Sequence, residues 1–271
     1  MTTTRNHIAP SPSFVPRHGF TLIEMAMVLV IIGLIIGGIM VGRDLVAAAT
    51  VRHFTDQIGK YDAGANTFRT KYRGLPGDMK ADDATTFGFT TRSGARGHGD
   101  GSGTVEGCGG AVVLGCETAL FWRDMWQGGL SPYGTLLATD IPVDGTVSGF
   151  TVDQYLPGTP FRPATYAFMY TFQGRNGYYI SSMTAVASDG TPTIGAGLTP
   201  QEAHNIDDKI DDGAPDNGVV RAMSSLAAYD AGGAPSITTC VNNTLTSLGY
   251  DVATEGTAGA ISCQLFIRSS L

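Results

Sequence analysis

Polar residues are almost absent between Phe20 and Val41, where the chain reads FTLIEMAMVLVIIGLIIGGIMV and only Thr21 and Glu24 interrupt 22 otherwise apolar or small positions. At about 1.5 Å per helical residue that run spans the ~30 Å hydrocarbon core of a bilayer, so it predicts a membrane helix. Beyond Gly42 the apolar positions thin out to Leu45, Val46, Ala49, Phe54, Ile58, Tyr61, Ala65 and Phe68. Their spacing, near the helical period, predicts that the helix continues to Tyr72 with one apolar stripe. YRGLPGD, from Tyr72 to Asp78, is expected to stop it, because Pro76 disfavours helix at Leu75 and Gly77 permits a turn.

The pattern then changes. In ETALFWRDMWQGGL, from Glu117 to Leu130, Leu120, Phe121, Met125 and Trp126 share one face of a short helix that Gly128 and Gly129 should end. Core packing is the role this spacing favours, with an aromatic ligand surface as the alternative. ATYAFMYTF and GYYISSMTAVA are rich in β-formers and flank the turn-prone QGRNG, from Gln173 to Gly177, which reads as a hairpin. The expected class is α+β: a long N-terminal helix, half membrane segment and half domain spine, packed on an antiparallel β-sheet with long disulfide-pinned loops.

Composition supports a loop-rich body, since only 15% of residues are charged while 37 are glycine. The formal charge is -7, and the first nineteen residues carry Arg5 and Arg17 but no acid, so the remainder is more acidic still. No nucleic-acid partner is inferred from such a balance. Four cysteines, Cys108, Cys116, Cys240 and Cys263, form two sequence-local pairs and suit an oxidising compartment. Local pairing is the simplest connectivity; crossed pairings stay open. No spacing of Cys and His suggests zinc.

Glu24 is the position that needs explaining. An acid inside a membrane helix costs roughly 2.5 kcal/mol or more near the centre and usually marks a partner or a function. One reading makes it a simple partner of the helix dipole, four residues into the run. A cleaved secretory signal fits poorly, because the apolar run is too long and no small-residue cleavage site follows it; a plain signal anchor leaves the acid unexplained. A more specific reading has the chain cut after Gly19, so that the new α-amino group of Phe20 appears close to Glu24.

GFTLIEMAMVLVIIGLI resembles the class III signal of type IV pilins and pseudopilins in its basic leader, the glycine before the cut, the aromatic first mature residue and the glutamate at the fifth mature position. The resemblance implies that prepilin peptidase cuts between Gly19 and Phe20 and methylates the Phe20 amine. Arg5, Arg17 and His18 would lie on the cytoplasmic side, as the positive-inside rule requires. Glu24 would then pair with the Phe20 amine of a neighbouring subunit in the filament. By this resemblance residues 1–19 are a cleaved basic leader, 20–42 a transmembrane and filament-core helix, 43–72 a helical spine, and 73–271 a globular β-rich head.

The implied function is that of a pilin or minor pilin polymerising into a type IV pilus-like filament, with a pseudopilin of a type II secretion system as the alternative and a membrane-anchored enzyme behind both. Implied partners are other pilin subunits, prepilin peptidase/N-methyltransferase, inner-membrane assembly machinery, and membrane lipid before assembly. The implied location is the bacterial inner membrane as a single-pass protein with a periplasmic head, then an extracellular pilus or a periplasmic pseudopilus. YRGLPGD, GDGSG (Gly99 to Gly103), ETALFWRDMWQGGL and IDDKIDDGAPDNG (Ile206 to Gly218) also resemble segments of a subgroup of pilin-like proteins, and a Cys240–Cys263 bridge would resemble the C-terminal loop clamp of many type IV pilins. The chain departs from many pilins in lacking a proline near Val41 and Gly42. Gly33, Gly37, Gly38 and Gly42 give two small-xxx-small spacings instead, suited to close helix packing or simply tolerated in lipid.

No cofactor is required by this reading, but calcium is the candidate ion for two oxygen-rich stretches. Asp100, Ser102 and Glu106 sit in a glycine-rich loop that does not fit the EF-hand spacing. Asp207, Asp208, Asp211 and Asp212 crowd around one lysine, where i,i+4 pairs repel unless a cation or the fold relieves them. A solvated loop and an acidic helix-to-turn junction are the plainer readings of the two. His53, His98 and His204 assemble no sequence-local triad, so no catalytic residue is assigned.

Overall fold

The computed structural model describes residues 19–89, 99–107, 116–131, 152–186, 192–223, 240–242, 249–252 and 259–271, without the side chains of Gln154 and Val186. Most of the leader, together with His98 and Cys108, lies outside the described residues. The chain divides into two units, Met1–Val46 and Ala47–Leu271. Helix α1, Leu22–Tyr72, contributes to both.

In the first unit every described side chain is exposed, including Ile23, Leu29, Leu34 and Ile39. The helix is long and apolar enough to cross a membrane, with a mean hydropathy of 2.7 and none of its most apolar window buried. An apolar surface of that extent is not a water-facing one; it requires lipid or other protein around it.

The second unit is built on the later part of α1, which buries Val51, Phe54, Ile58, Tyr61, Ala65 and Phe68. The apolar stripe of the sequence continues towards the N-terminus through Leu45, Val46 and Ala49, which are exposed in the single chain, and burial begins at Val51. The apolar period runs unbroken across the change of surroundings, because lipid and a protein core select the same side chains. Short helix α2, Ala81–Thr86, follows the exit, and α3, Glu117–Gln127, packs Phe121, Trp122 and Met125 into the core. Trp122, rather than Trp126, is the indole that is fully buried. Its ring meets Tyr61 at 4.6 Å and Phe121 at 4.9 Å between centroids, both edge-on.

Strand β1, Thr165–Phe172, and β2, Arg175–Val186, form the expected hairpin. Its turn is tighter than the five-residue stretch expected, closing through Gln173 and Gly174 alone with φ of 49° and 72°. Two successive positive φ values match the twist of a two-residue hairpin turn. Short β3, Pro192–Gly195, and helix α4, Pro200–Ile210, come next, followed by β4, Val220–Met223, β5, Val241–Asn242, β6, Gly249–Tyr250, and β7, Gln264–Arg268. The main sheet runs β1-β2-β7-β4 with β3 also on β2, and every pairing in it is antiparallel. The architecture is α+β, with a long N-terminal helix followed by an antiparallel sheet.

Two side chains of α1, Asp62 and Asn66, tie the end of the sheet to the helix. Asp62 accepts from the Tyr178 hydroxyl at 2.9 Å, the Ser269 hydroxyl at 2.5 Å and the Ser270 amide at 3.1 Å, while Asn66 donates to Ser270 at 2.9 Å. Helix α4 begins in a capping box in which Thr199 and Glu202 satisfy each other's backbone amides, and Arg162 grips Glu202 through both guanidinium nitrogens at 2.6 and 3.0 Å.

Cys240 and Cys263 are joined in a disulfide that closes the segment carrying β5 and β6 onto the start of β7. Cys116 is likewise disulfide-bonded, and the residue expected as its partner, Cys108, lies outside the described residues. Replacing Cys240 and Cys263 together with serine should lower unfolding free energy by about 2–4 kcal/mol, the usual worth of a bridge closing a loop of this size. Urea unfolding of the detergent-solubilised full-length protein measures this, and an unchanged midpoint would show that the loop is held by its other contacts. Membrane insertion depends on the apolar helix alone and should be unaffected.

Candidate functional site

Helix α1 starts in a second capping box, and Glu24 is part of it. Thr21 stands just before the first helical residue, and the Glu24 amide donates to its hydroxyl at 3.3 Å. In return Glu24 Oε2 accepts from the Thr21 amide at 2.7 Å and the Thr21 hydroxyl at 2.8 Å. The T-x-x-E spacing is what this reciprocal arrangement needs, and it explains how an acid is tolerated at the end of so apolar a helix. Oε1 accepts no hydrogen bond among the described residues. Gly19 and Phe20 precede the box outside the helix and are exposed, with Phe20 at 80% exposure. Gly19, Phe20 and Glu24 therefore cluster at one end of an exposed apolar helix, where a cut peptide bond, its amine and a half-used carboxylate would lie within a few residues of each other.

The second feature joins three stretches that the sequence holds apart. Asp78 of the helix-exit motif, Asp100 of the glycine-rich loop and Glu117 at the start of α3 place carboxylate oxygens within 4.8 Å of one another. Asp78 and Glu117 are buried and Asp100 is exposed. Both buried acids work as clamps on the loop. Asp78 Oδ1 accepts from the amides of Gly101 at 2.8 Å and Ser102 at 3.0 Å, and its Oδ2 from Gly103 at 2.8 Å. Glu117 accepts from Asp100 at 3.0 Å and Glu106 at 2.9 Å, one amide on each oxygen. Gly77 sits between the two stretches with φ of 86°, and a side chain there would collide with the Glu117 carbonyl; its amide donates to buried Asp124 at 2.8 Å. The LPGD turn thus requires glycine for close approach as well as for its backbone angle.

Of the oxygen ligands expected in this loop, only Asp100 joins the three-acid group. Ser102 uses its amide on Asp78 and Asp100, while the Glu106 side chain accepts from Thr104 at 2.9 Å. Asp78 and Glu117 lie outside the loop in sequence, so an oxygen set read from the loop alone does not contain them. The signal available was that each lies in a separate family-like segment.

The other acidic stretch divides in the same way. Asp207, Asp211 and Asp212 form a second group of three with oxygens within 4.8 Å, whereas Asp208 is exposed and outside it. Buried Asp207 accepts from the Tyr250 hydroxyl at 2.7 Å and the Gly213 amide at 3.2 Å, which ties β6 in the disulfide-closed segment to α4. Asp211 accepts from the amides of Val219, just before β4, and Val220, its first residue. Both groups offer only oxygen, the donor chemistry of a hard cation such as calcium, but most of these oxygens already hold N–H or O–H donors.

Burial pushes Glu117 up to about 7, with the charges of Asp78 and Asp100 adding to the shift against the two amides that oppose it. Burial likewise raises Asp78 and brings Asp207 to about 6. A carboxyl whose folded pKa is raised stabilises the fold fully below its unfolded value, and that contribution is lost as pH rises through the folded value. Stability should therefore decline from about pH 4 to pH 7 through these groups, and Glu117→Gln should flatten the upper part of the decline. Urea midpoints across that range give the measurement; a rising profile, or one that Glu117→Gln leaves unaltered, would contradict it.

Residues 16–40 match the family model described as the prokaryotic N-terminal methylation motif. The match covers the capping box and the exposed apolar part of α1 and stops short of the head. No curated protein and no solved structure matches the chain.

Proposed function

From the class III signal of type IV pilin and pseudopilin precursors, which residues 16–40 carry, we propose that this chain is a structural subunit cut between Gly19 and Phe20 and polymerised through its N-terminal helix into a type IV pilus-like filament. The observation that carries the proposal is the motif set on the first part of α1, where every apolar side chain up to Ala49 is exposed in the single chain. Such a surface is stable first in lipid and later against copies of itself. Prepilin peptidase is the processing partner, and the new Phe20 amine is the methylated group. Glu24 Oε1 takes that amine from a neighbouring subunit while Oε2 remains on Thr21.

Before assembly the subunit is a single-pass inner-membrane protein with its head in the periplasm. The same signal serves secretion pseudopilins; length and two disulfides favour a pilin or minor pilin. No catalytic role is proposed for any residue, and calcium on the acidic groups is not needed for this function.

Mass spectrometry of the mature protein tests the reading, with a methylated Phe20 N-terminus expected. Gly19→Arg should leave only full-length precursor in the membrane, because a long charged side chain replaces hydrogen at the cut site, whereas Gly19→Ala should still be processed in part. A mature chain starting well away from Phe20, or an intact leader on assembled protein, would overturn it. Imaging of filaments with their composition determined separates pilus from pseudopilus.

A further inference from the structure

The sequence contains two Asn-Gly pairs, Asn176–Gly177 and Asn217–Gly218, and the fold treats them in opposite ways. Asn176 is buried in β2, where its Oδ1 accepts from the Val105 amide at 2.9 Å and the Thr171 hydroxyl at 2.7 Å, and its Nδ2 donates to the Gly103 carbonyl at 3.0 Å. Gly177 pairs with Tyr170 on one side and Arg268 on the other. Asn217 is exposed in the loop before β4, and its one hydrogen bond among the described residues runs from Nδ2 to the neighbouring Asp216 at 3.3 Å. The Gly218 amide donates to no group among the described residues, and Gly218 takes φ of 82°, with no room for a side chain beside the Asp211 carboxylate. The turn thus requires glycine, and glycine leaves its own nitrogen unshielded.

We propose that Asn217 is a site of spontaneous deamidation in the folded protein, while Asn176 is protected. The Gly218 nitrogen attacks Asn217 Cγ, and the bond from Cγ to Nδ2 breaks. The amide proton leaves with that nitrogen as ammonia, and a five-membered succinimide remains. Water then opens the ring at either carbonyl to give aspartate or isoaspartate. Holding nucleophile and carbonyl in one short segment is what makes such an intramolecular attack competitive, and asparagine is a recognised thermolabile residue. Either product adds a carboxylate beside Asp211, Asp212 and Asp216, and isoaspartate also lengthens the backbone two residues before the Val219 amide that Asp211 holds.

The test is peptide mapping by mass spectrometry of the detergent-solubilised full-length protein, aged in mildly alkaline buffer and sampled over time. A parallel sample is reduced and kept in urea. In the folded sample the Asn217 peptide should gain the mass of O in place of NH at least tenfold faster than the Asn176 peptide, about 1.4 kcal/mol of barrier. In urea the two should react at similar rates, with both aspartate and isoaspartate formed. Equal rates in the folded protein, faster reaction at Asn176, or no reaction at Asn217 would each overturn the proposal, and a rate difference that persists in urea would assign it to local sequence instead of the fold.

Discussion

Glu24→Ala should remove the protein from filaments almost completely while leaving it in the membrane and its head folded. The change acts twice at the same place. It deletes the acceptor that holds the Thr21 amide and hydroxyl, which weakens the start of the helix. In the proposed filament it also leaves the Phe20 amine of a neighbour as an uncompensated charge in an apolar surrounding, a larger penalty than the loss of a cap. The second effect dominates, and it exists only in the polymer. Thr21→Ala separates the two, because it removes the hydroxyl and keeps the carboxylate, so assembly should be weakened and not lost. Quantifying subunit in the sheared filament fraction against the membrane fraction gives the answer. Filaments with a normal content of the Glu24→Ala chain would reduce Glu24 to a helix cap.

The largest effect expected within the head comes from Asp78→Ala. One side chain at 3% exposure receives three consecutive loop amides, and hydrogen bonds to a charged acceptor are worth about 1.5–3 kcal/mol each when broken singly. They share one acceptor and will not add, so a total loss of about 3–5 kcal/mol is expected. Asp78→Asn should fall between, since its nitrogen cannot accept an N–H and only one oxygen stays in place. Urea unfolding reads the global loss, and hydrogen exchange at Gly101, Ser102 and Gly103 reads the local one. Retained protection at these amides in Asp78→Ala would mean that Glu117 alone holds the loop.

These two residues mark the limits of what the sequence makes legible. Glu24 stands out because one charge in an apolar run is visible without any knowledge of the fold, and the T-x-x-E spacing around it is local. Helix α1, the β1–β2 hairpin and the Cys240–Cys263 bridge were readable for the same reason: each is made by residues near in sequence or by a period. Asp78, Asp100 and Glu117 belong to three segments that meet only after α3 has folded back on the helix exit, and no periodicity links them. The placement of β7 between β2 and β4 has the same character, as does the choice of Trp122 over Trp126. The stripe through Leu45 and Val46 is a different case. The pattern was right, but an apolar helical face does not say what covers it.

Strand β7 has a bearing on timing. It lies inside the main sheet, paired with β2 on one side and β4 on the other, yet it follows every other element in chain order. Ser269 and Ser270 beyond it supply the contacts to Asp62, and Cys263 just before it carries the bridge. A chain delivered from its N-terminus can therefore form α1 and the hairpin early, but β4 has no strand to join and Asp62 lacks most of its donors until the last segment arrives. β7 therefore sets the order of events, since β4 is joined to the hairpin, and Ser269 and Ser270 to α1, only when residues 263–270 are present.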